Sequence, residues 1–374
     1  MNELQQIVAA IETAPAGNAV LVTLVKVEGS SYRRAGARLL LMADDRRIGS
    51  ISGGCLEDDV TARAQQVRVS GKPEVVTYDT TSENDLVWGV GLGCHGVVHV
   101  LVERLPPRPA WATALQENLR RRKPTELSVL WREPAGMSPA QTFRGDATPP
   151  SRMGLDTRRG RRGSRVQVAL PLRSQCGTCG LGTYLTGDLA SLPSDMVFHQ
   201  TIHPPTALVI FGAGDDAQPL VRFAKGLGWH VRVVDPRPAF ATPERFPEAD
   251  GTLVARAEEA VARINPESDS VAVVMTHHYR HDVPLLRTLL PRPLAYLGLL
   301  GPRKRAERML AEVEADGLAI TPGMRSRLRA PVGLDLGADN PEEIALAILA
   351  EAKAVLAGRD ARPLRQRQLP IHAE

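Results

Sequence analysis

Several short runs in this 374-residue chain combine residue types and spacings that suit chemistry. Phe211-Gly212-Ala213-Gly214-Asp215-Asp216-Ala217 reads G-x-G-x-x-A between a strand-like and a helix-like segment. The first glycine permits a tight turn, the second lets backbone approach a pyrophosphate, and the small last residue lets helix and strand pack closely. Asp235 closes the following strand, where an acid can accept a ribose hydroxyl. Gly212, Gly214 and Asp235 are therefore candidate nucleotide-binding residues. Against this, Asp215 and Asp216 put negative charge where a phosphate would sit, and Pro219 removes a donor from the helix that follows. The glycines are equally explained by the turn alone, since fold does not imply function.

Two further loops follow strands of the same half. His277-His278-Tyr279-Arg280-His281-Asp282 places His277 and His281 at i, i+4, so a helix would put both imidazoles on one face. Asp282 could orient one of them or join it on a metal. A zinc site wants three or four protein ligands, and no others stand nearby, so a polar loop holding substrate is the alternative. Gly301-Pro302-Arg303-Lys304-Arg305 sets three cations in the first turn of a helix, where the dipole disfavours them. That broken rule points to an anion pocket made by Arg303, Lys304 and free helical N–H groups, or to a solvated turn.

The N-terminal half contributes thiols. Cys55 lies in Ser50-Ile51-Ser52-Gly53-Gly54-Cys55-Leu56-Glu57. Gly53 and Gly54 ahead of a helix make a nest of N–H donors, where a cysteine is a better nucleophile or metal ligand. Cys94 lies in Trp88-Gly89-Val90-Gly91-Leu92-Gly93-Cys94-His95-Gly96, whose glycines bring backbone close to something. Either cysteine is otherwise a small buried hydrophobe. Gly29-Ser30-Ser31-Tyr32-Arg33-Arg34 adds hydroxyls and guanidiniums suited to an oxyanion. Cys176-Gly177-Thr178-Cys179 is a lone C-x-x-C, a redox dithiol or half a zinc site.

The elements that must position these residues alternate along the chain. Leu4, Ile7, Val8 and Ile11 share a helical face. Strands are expected at 19–29, 38–42, 74–78 and 96–103, with a helix following the Gly49–Gly54 turn. From Thr206, strands at 207–212, 230–235, 270–276 and 294–301 alternate with helices, which implies a doubly wound parallel sheet. Asp339-Asn340-Pro341-Glu342-Glu343 starts the last helix, with a cap, a first-turn proline and acids at the positive end of the dipole. The fold class is α/β: an N-terminal α/β domain at 1–105, and a C-terminal Rossmann-like domain at 205–360. A middle region spans 106–204, with strands expected at 127–131 and 166–172, and a tail covers 361–374.

Composition excludes several classes. Apolar residues make up 43% of the chain, enough for a core, so wholesale disorder is excluded. No apolar run reaches the length of a membrane span, and Glu3 with no basic start argues against a secretory signal. Four cysteines suit reduced, cytoplasmic thiols rather than a disulfide scaffold. The net charge of +4 is local: residues 144–165 hold seven Arg against two Asp, a surplus of +5 that leaves the rest at −1. That Gly/Arg-rich stretch reads as a linker. It has no interleaved aromatic residue, so nucleic-acid binding is not expected.

Taken in order, GSSYRRAGARLLLM, GSISGGCLEDDV and WGVGLGCHG resemble the N-terminal half of the XdhC/CoxI family of xanthine dehydrogenase accessory factors. FGAGDDAQPL, VVDPRPAFA, the Thr276-His277 turn, YLGLLGPRKR and APVGLDLGADNPEEIALAILAE resemble its Rossmann half. The likeness covers about 18–104 and 205–358, and Cys94-His95-Gly96 departs from the family's Cys-Gly-Gly. The resemblance implies a chaperone more than a turnover enzyme. Such a protein binds molybdenum cofactor, shields it, and delivers it to a molybdenum hydroxylase apoenzyme such as xanthine dehydrogenase, working with a cysteine desulfurase. Cys55 then becomes a candidate ligand for molybdenum, with Gly53, Gly54, Cys94, Gly212, Gly214, Asp235, His277 and Arg303 around the cofactor. No nucleic acid or membrane is implied, and a homodimer is compatible. The competing readings are an NAD(P)-dependent oxidoreductase built on the Gly212 turn, and a thiol or zinc module at Cys176 and Cys179.

Overall fold

Six consecutive apolar or β-branched residues, Val20–Val25, are all buried, and they make the first strand the centre of the N-terminal sheet. The computed structural model describes residues 2–13, 18–79, 96–132, 181–186 and 195–368. It divides into two compact units, Glu3–Pro204 and Pro205–Glu374.

In the first unit, helix α1 (Asn2–Thr13) is followed by β1 (Val20–Gly29), β2 (Arg38–Leu41) and β3 (Arg47–Gly49). Helix α2 (Glu57–Ser70) leads to β4 (Glu74–Asp79) and β5 (Gly96–Arg104). Helix α3 (Ala110–Arg120) then precedes β6 (Thr125–Leu130), β7 (Gly182–Leu185) and β8 (Val197–Ile202). The first five strands form an antiparallel sheet in the order β3-β2-β1-β5-β4. Side-chain alternation gives it two apolar faces. Val20, Val22 and Leu24 pack with Val60, Ala64 and Val67 of α2. Leu21 and Leu40 pack on the other side with Ile7 of α1, Trp111 and Leu115 of α3, and Leu127 of β6.

The described residues of 106–204 thus share a core with the N-terminal sheet. The expected strand at 127–131 is β6, and it pairs antiparallel with β7 on one side and β8 on the other. Sequence reasoning named neither partner. The strand expected at 166–172 and the 144–165 linker lie outside the described residues.

The register of the five-stranded sheet decides where its loops meet. Gly29 pairs with Gly96, Asp79 with Val97, Thr23 with Arg38, and Leu39 with Gly49. The end of β1, the start of β2, the ends of β3 and β4, and the start of β5 therefore all lie toward one end of the sheet. The loop carrying Arg33, the loop carrying Cys55 and the two residues flanking the Cys94 segment leave from that end.

The second unit runs β9 (Ala207–Phe211), α4 (Ala217–Gly226), β10 (His230–Asp235), β11 (Gly251–Val254), α5 (Ala257–Ile264) and β12 (Val271–Val274). It continues with α6 (Tyr279–Leu289), β13 (Tyr296–Leu299), α7 (Arg303–Ala315), α8 (Pro322–Arg327), β14 (Leu328–Arg329) and α9 (Pro341–Leu356). The six strands are parallel, in the order β11-β10-β9-β12-β13-β14. This is the doubly wound Rossmann order, reversing between β9 and β12, where a crevice opens at the carboxyl ends. Leu208 and Ile210 of β9 face α4 and α9 through Leu220, Val221 and Ile348. Val209 and Phe211 face α5, α6 and α7 through Val261, Leu286 and Met309. Asn340 caps α9 by accepting from Glu343 N–H at 3.0 Å, and the Glu343 carboxylate accepts from Asp339 N–H at 2.8 Å. Among the described residues no helix is long and apolar enough to cross a membrane.

Gly212 opens that crevice in a backbone state only glycine holds easily, with φ at 122°. A Cβ there would stand 2.4 Å from the carbonyl oxygen of Met275, which is backbone and cannot swing aside. Gly212→Ala should therefore lower the stability of the second unit by about 3 kcal/mol, read as a shifted urea midpoint. A change under about 0.5 kcal/mol would show that the turn relaxes freely.

Candidate functional site

The Cys55 loop is built by a carboxylate folded back over it. Helix α2 starts at Glu57, whose side chain turns toward the residues before it. Its Oε1 accepts from Ser52 N–H at 2.9 Å, and its Oε2 accepts from the Ser52 hydroxyl and from Leu56 N–H at 3.2 Å. Ser52 Oγ in turn accepts from Gly54 N–H at 3.1 Å and Leu56 N–H at 3.2 Å. The nest of donors expected beside Cys55 exists, but Ser52 and Glu57 already fill several of its places. Burial pushes the Glu57 carboxyl up, and the Ser52 hydroxyl and backbone donors more than reverse this, holding it below the ordinary glutamate value. Cys55 itself is free, half-buried, and packed against the Val60 side of the sheet. The Tyr32 ring lies beside Gly53, within 3.7 Å of where a Cβ would stand, so the Tyr32 and Cys55 loops meet.

Arg33 is not waiting for an anion. Both of its terminal nitrogens reach the carboxylate of Glu3 on α1, with Nη1 at 3.2 Å from Oε1. Cys94, His95, Cys176 and Cys179 lie outside the described residues. Among the described residues no three His, Cys, Asp or Glu side chains are grouped as a metal site.

In the second unit the turn is tied from three directions. Asp235 is 1% exposed. Its Oδ2 accepts from Ala213 N–H at 2.9 Å and Arg237 Nη2 at 2.8 Å, and its Oδ1 accepts from Arg237 N–H at 2.9 Å and Nε at 2.8 Å. A carboxylate has about four acceptor directions, and these contacts fill them. The expected ribose contact would have to displace one. Burial raises the Asp235 carboxyl, while the Arg237 side chain and the Ala213 and Arg237 backbone groups hold it below the usual aspartate range. Arg245 reaches over the turn, its Nη2 donating to Asp215 Oδ1 at 2.8 Å and to the Ala213 carbonyl at 3.3 Å. Asp216 bends back over Gly214, where a Cβ would meet its Oδ1 at 2.5 Å, and pairs with His277 Nε2 at 2.6 Å.

The histidine pair expected on one helix face is corrected by the structure. Helix α6 begins at Tyr279, and His277 stands before it with φ at 57°. His277 therefore crosses to Asp216, and the imidazole that meets His281 is that of His278, with ring centroids 4.5 Å apart. Asp282 does not orient His277, which pairs with Asp216. Fully buried, it accepts from the Thr276 hydroxyl at 2.6 Å and from Arg305 Nη2 at 2.6 Å. Of the three cations after Gly301, Arg303 and Lys304 face solvent at the start of α7, and Arg305 turns inward to that carboxylate. The broken dipole rule thus has a physical reason at Arg305: a buried charge needs a partner. Sequence reasoning missed Glu57, Arg237 and Arg245. The available signals were an acid two residues after Cys55 and an arginine two residues after the strand-ending Asp235.

Known proteins are similar to this chain along its length. The profile described as the XdhC and CoxI family matches residues 14–79, and that of the XdhC Rossmann domain matches residues 208–352. A Bacillus subtilis protein described as a probable subunit of xanthine dehydrogenase is 34% identical over 334 residues, which cover 89% of this chain and 92% of that one. The molybdenum cofactor insertion chaperone PaoD of Escherichia coli is 25% identical over 348 residues, 92% of this chain and 86% of its own. A crystal structure described as a xanthine dehydrogenase from Bacillus halodurans superposes with a TM-score of 0.71 at 29% identity, covering 98% of this chain and 99% of that one.

The Asp235 cluster predicts a pH signature. A carboxyl held below its unfolded value contributes stability above the unfolded pKa and loses it as pH falls through the folded one. Asp235→Asn should cost about 2 kcal/mol near neutral pH. The gap to the parent should close below about pH 4, as urea midpoints across the acid range would show. A gap that persisted unchanged to about pH 2 would mean that lost packing, not charge, is responsible.

Proposed function

The chain belongs to the XdhC and CoxI family, and from that premise we propose that it is an accessory factor that binds molybdenum cofactor and delivers it to the apoenzyme of a molybdenum hydroxylase. The cofactor is cargo, held and released, so the protein needs ligands rather than a catalytic constellation. The observation that carries the reading is the Cys55 loop, in a chain similar along its length to a named cofactor insertion chaperone. There a free, half-buried cysteine stands on a glycine turn at the end of the sheet where the Tyr32 loop, the end of β4 and the start of β5 also lie.

The chemistry fits a soft metal. A sulfur ligand suits molybdenum held by a dithiolene, whereas carboxylates suit hard cations. Half-burial lets a cargo reach the sulfur while sheltering it from solvent oxidants. The Ser52–Glu57 lock fixes the backbone that carries Cys55, so the sulfur is presented without needing to be ordered on binding. Cys94, which lies in sequence between Asp79 and Gly96, is the second cofactor contact in this proposal. Sulfuration of the bound cofactor by a cysteine desulfurase, and a xanthine dehydrogenase-like client, complete the proposal.

The test is cofactor content. The protein, purified from cells that make the cofactor, should carry molybdenum and pterin, and Cys55→Ser should retain less by about tenfold or more. Unchanged content in Cys55→Ser would return Cys55 to a packing role. A parent protein that carries neither molybdenum nor pterin, and fails to restore activity to a client apoenzyme, would sink the reading.

A further inference from the structure

The face of the first sheet that lies away from Cys55 holds a buried cation that the delivery function leaves unused. Arg38 opens β2 and is 4% exposed. Its Nη1 donates to the Gly36 carbonyl at 3.0 Å and to Gln200 Oε1 of β8 at 2.8 Å. Its Nε and Nη2 have no hydrogen-bond partner among the described residues, and neither does the buried Oγ1 of Thr23, the residue opposite it on β1. Burial pushes the guanidinium down to about 10, and the field of the Glu103 carboxylate only partly offsets this. A buried charge with so few partners depends heavily on each of them.

These contacts close on the segment that leads from Tyr32 into β2. Alternation along it sends Ala35 and Ala37 to the apolar cluster that also takes Cys55, and Arg38 to the opposite face. Gly36 has φ at 92°, and a Cβ there would meet Gln200 Nε2 at 2.4 Å. Gln200 thus lies against the Gly36 backbone while it holds the arginine whose other bond fixes the Gly36 carbonyl. Further up the same segment, Tyr32 meets Gly53 through the face of its ring. Its Cγ, Cδ1 and Cδ2 would stand 3.7, 3.8 and 3.7 Å from a Gly53 Cβ, and such equal distances put Gly53 over the ring rather than at its edge.

We propose that Gln200 is a positioning residue for the Cys55 site. Through Arg38 and the Gly36 carbonyl it holds the 32–37 segment, and with it the Tyr32 ring, against the Cys55 loop. The consequence for the cargo rests on the proposed function. No local motif calls for this bond, which joins residues 162 apart in sequence. It fixes from the far face of the sheet a segment whose near face packs with the sulfur. A cargo reaching Cys55 then meets a loop that is already ordered, which lowers the entropic cost of binding.

The experiment follows the reaction of Cys55 with iodoacetamide in the full chain, purified from cells that make no cofactor, and reads the Cys55 peptide by mass spectrometry. Loosening the segment uncovers the half-buried sulfur. Gln200→Met keeps the bulk and loses the acceptor, and should speed the reaction by about fivefold. Gln200→Glu keeps the acceptor and should stay within about twofold of the parent. In a Tyr32→Ala background there is no ring to hold, so Gln200→Met should add less than about 1.5-fold. Thermal melts identify a variant that has failed to fold. Gln200→Asn, one methylene too short to reach Arg38, then replaces Gln200→Met with the same expected gain. An unchanged rate, an equal gain in Gln200→Glu, or gains that multiply with Tyr32→Ala would each overturn the proposal. The last would mean that the bond only ties two sheets together, since such a tie acts with or without the ring. In cells that make the cofactor, Gln200→Met should retain about a third of the parent's molybdenum and pterin, and full retention would also overturn the proposal. Failure here is separable from failure of the delivery reading. A parent chain that never carries cofactor overturns only the delivery reading, because the alkylation rates still stand. Unchanged alkylation rates in a chain that carries molybdenum through Cys55 overturn only this inference.

Discussion

A glycine-rich turn strips side chains from the backbone and leaves N–H groups that must find an acceptor. Both units meet that need with a carboxylate of their own. Glu57 folds over the Ser52–Leu56 backbone, and Asp235 takes Ala213 N–H from the end of the neighbouring strand. Each acid is nearly buried, at 8% and 1% exposure, so neither could be tolerated ionised without those donors. The pairing runs in both directions: the loop satisfies the acid and the acid shapes the loop. The position of Cys55, and the closed state of the turn at Gly212, both follow from it.

The two acids differ in what they leave over. Glu57 works with a neutral partner, Ser52, and the sulfur of Cys55 remains uncommitted. Asp235 works with Arg237 and so carries a cation to the mouth of the sheet. Phe240 then gathers a second cation, Arg245, against the same ring. One unit therefore presents a soft donor and the other a hard, positively charged surface. The mouth between β9 and β12 is meanwhile spanned by the Asp216–His277 pair, and the turns after β12 and β13 are pinned together by Asp282 with Thr276 and Arg305. A shared fold thus carries a different binding surface, which is why the fold alone does not name the ligand.

Much of this was legible along the chain. The alternation of apolar runs and helical segments after Thr206 specified a parallel doubly wound sheet, because buried parallel strands need continuous apolar stretches and crossover helices. The Gly212 turn was legible because its backbone requirement admits few other residues. The start of α9 was legible from its proline and acids, since capping is local chemistry. The ordered motifs, many and separate, also pointed to the family. Less visible were the elements whose meaning depends on distant residues. Leu127–Trp131 looked like a strand without partners because those partners are β7 and β8, more than fifty residues further along. His277 and His281 had helical spacing, yet a positive φ two residues before α6 sent His277 to Asp216 instead.

The sequence by itself determined which backbone states and which periodicities were available: the glycine turns, the strand and helix runs, and the positions of Cys55 and Asp235 at the ends of elements. Those are properties of residues and their near neighbours. Only the tertiary structure decided which acceptor each exposed N–H would receive, which of three clustered cations would turn inward, and which acids would be spent on the protein itself. Such choices depend on groups brought together across 22 residues, as for Asp235 and Ala213, or across 61, as for Asp216 and His277. A hydrogen bond at that separation leaves no periodic trace in a sequence. Its partners become visible only once burial makes an unpaired donor or charge too costly to keep.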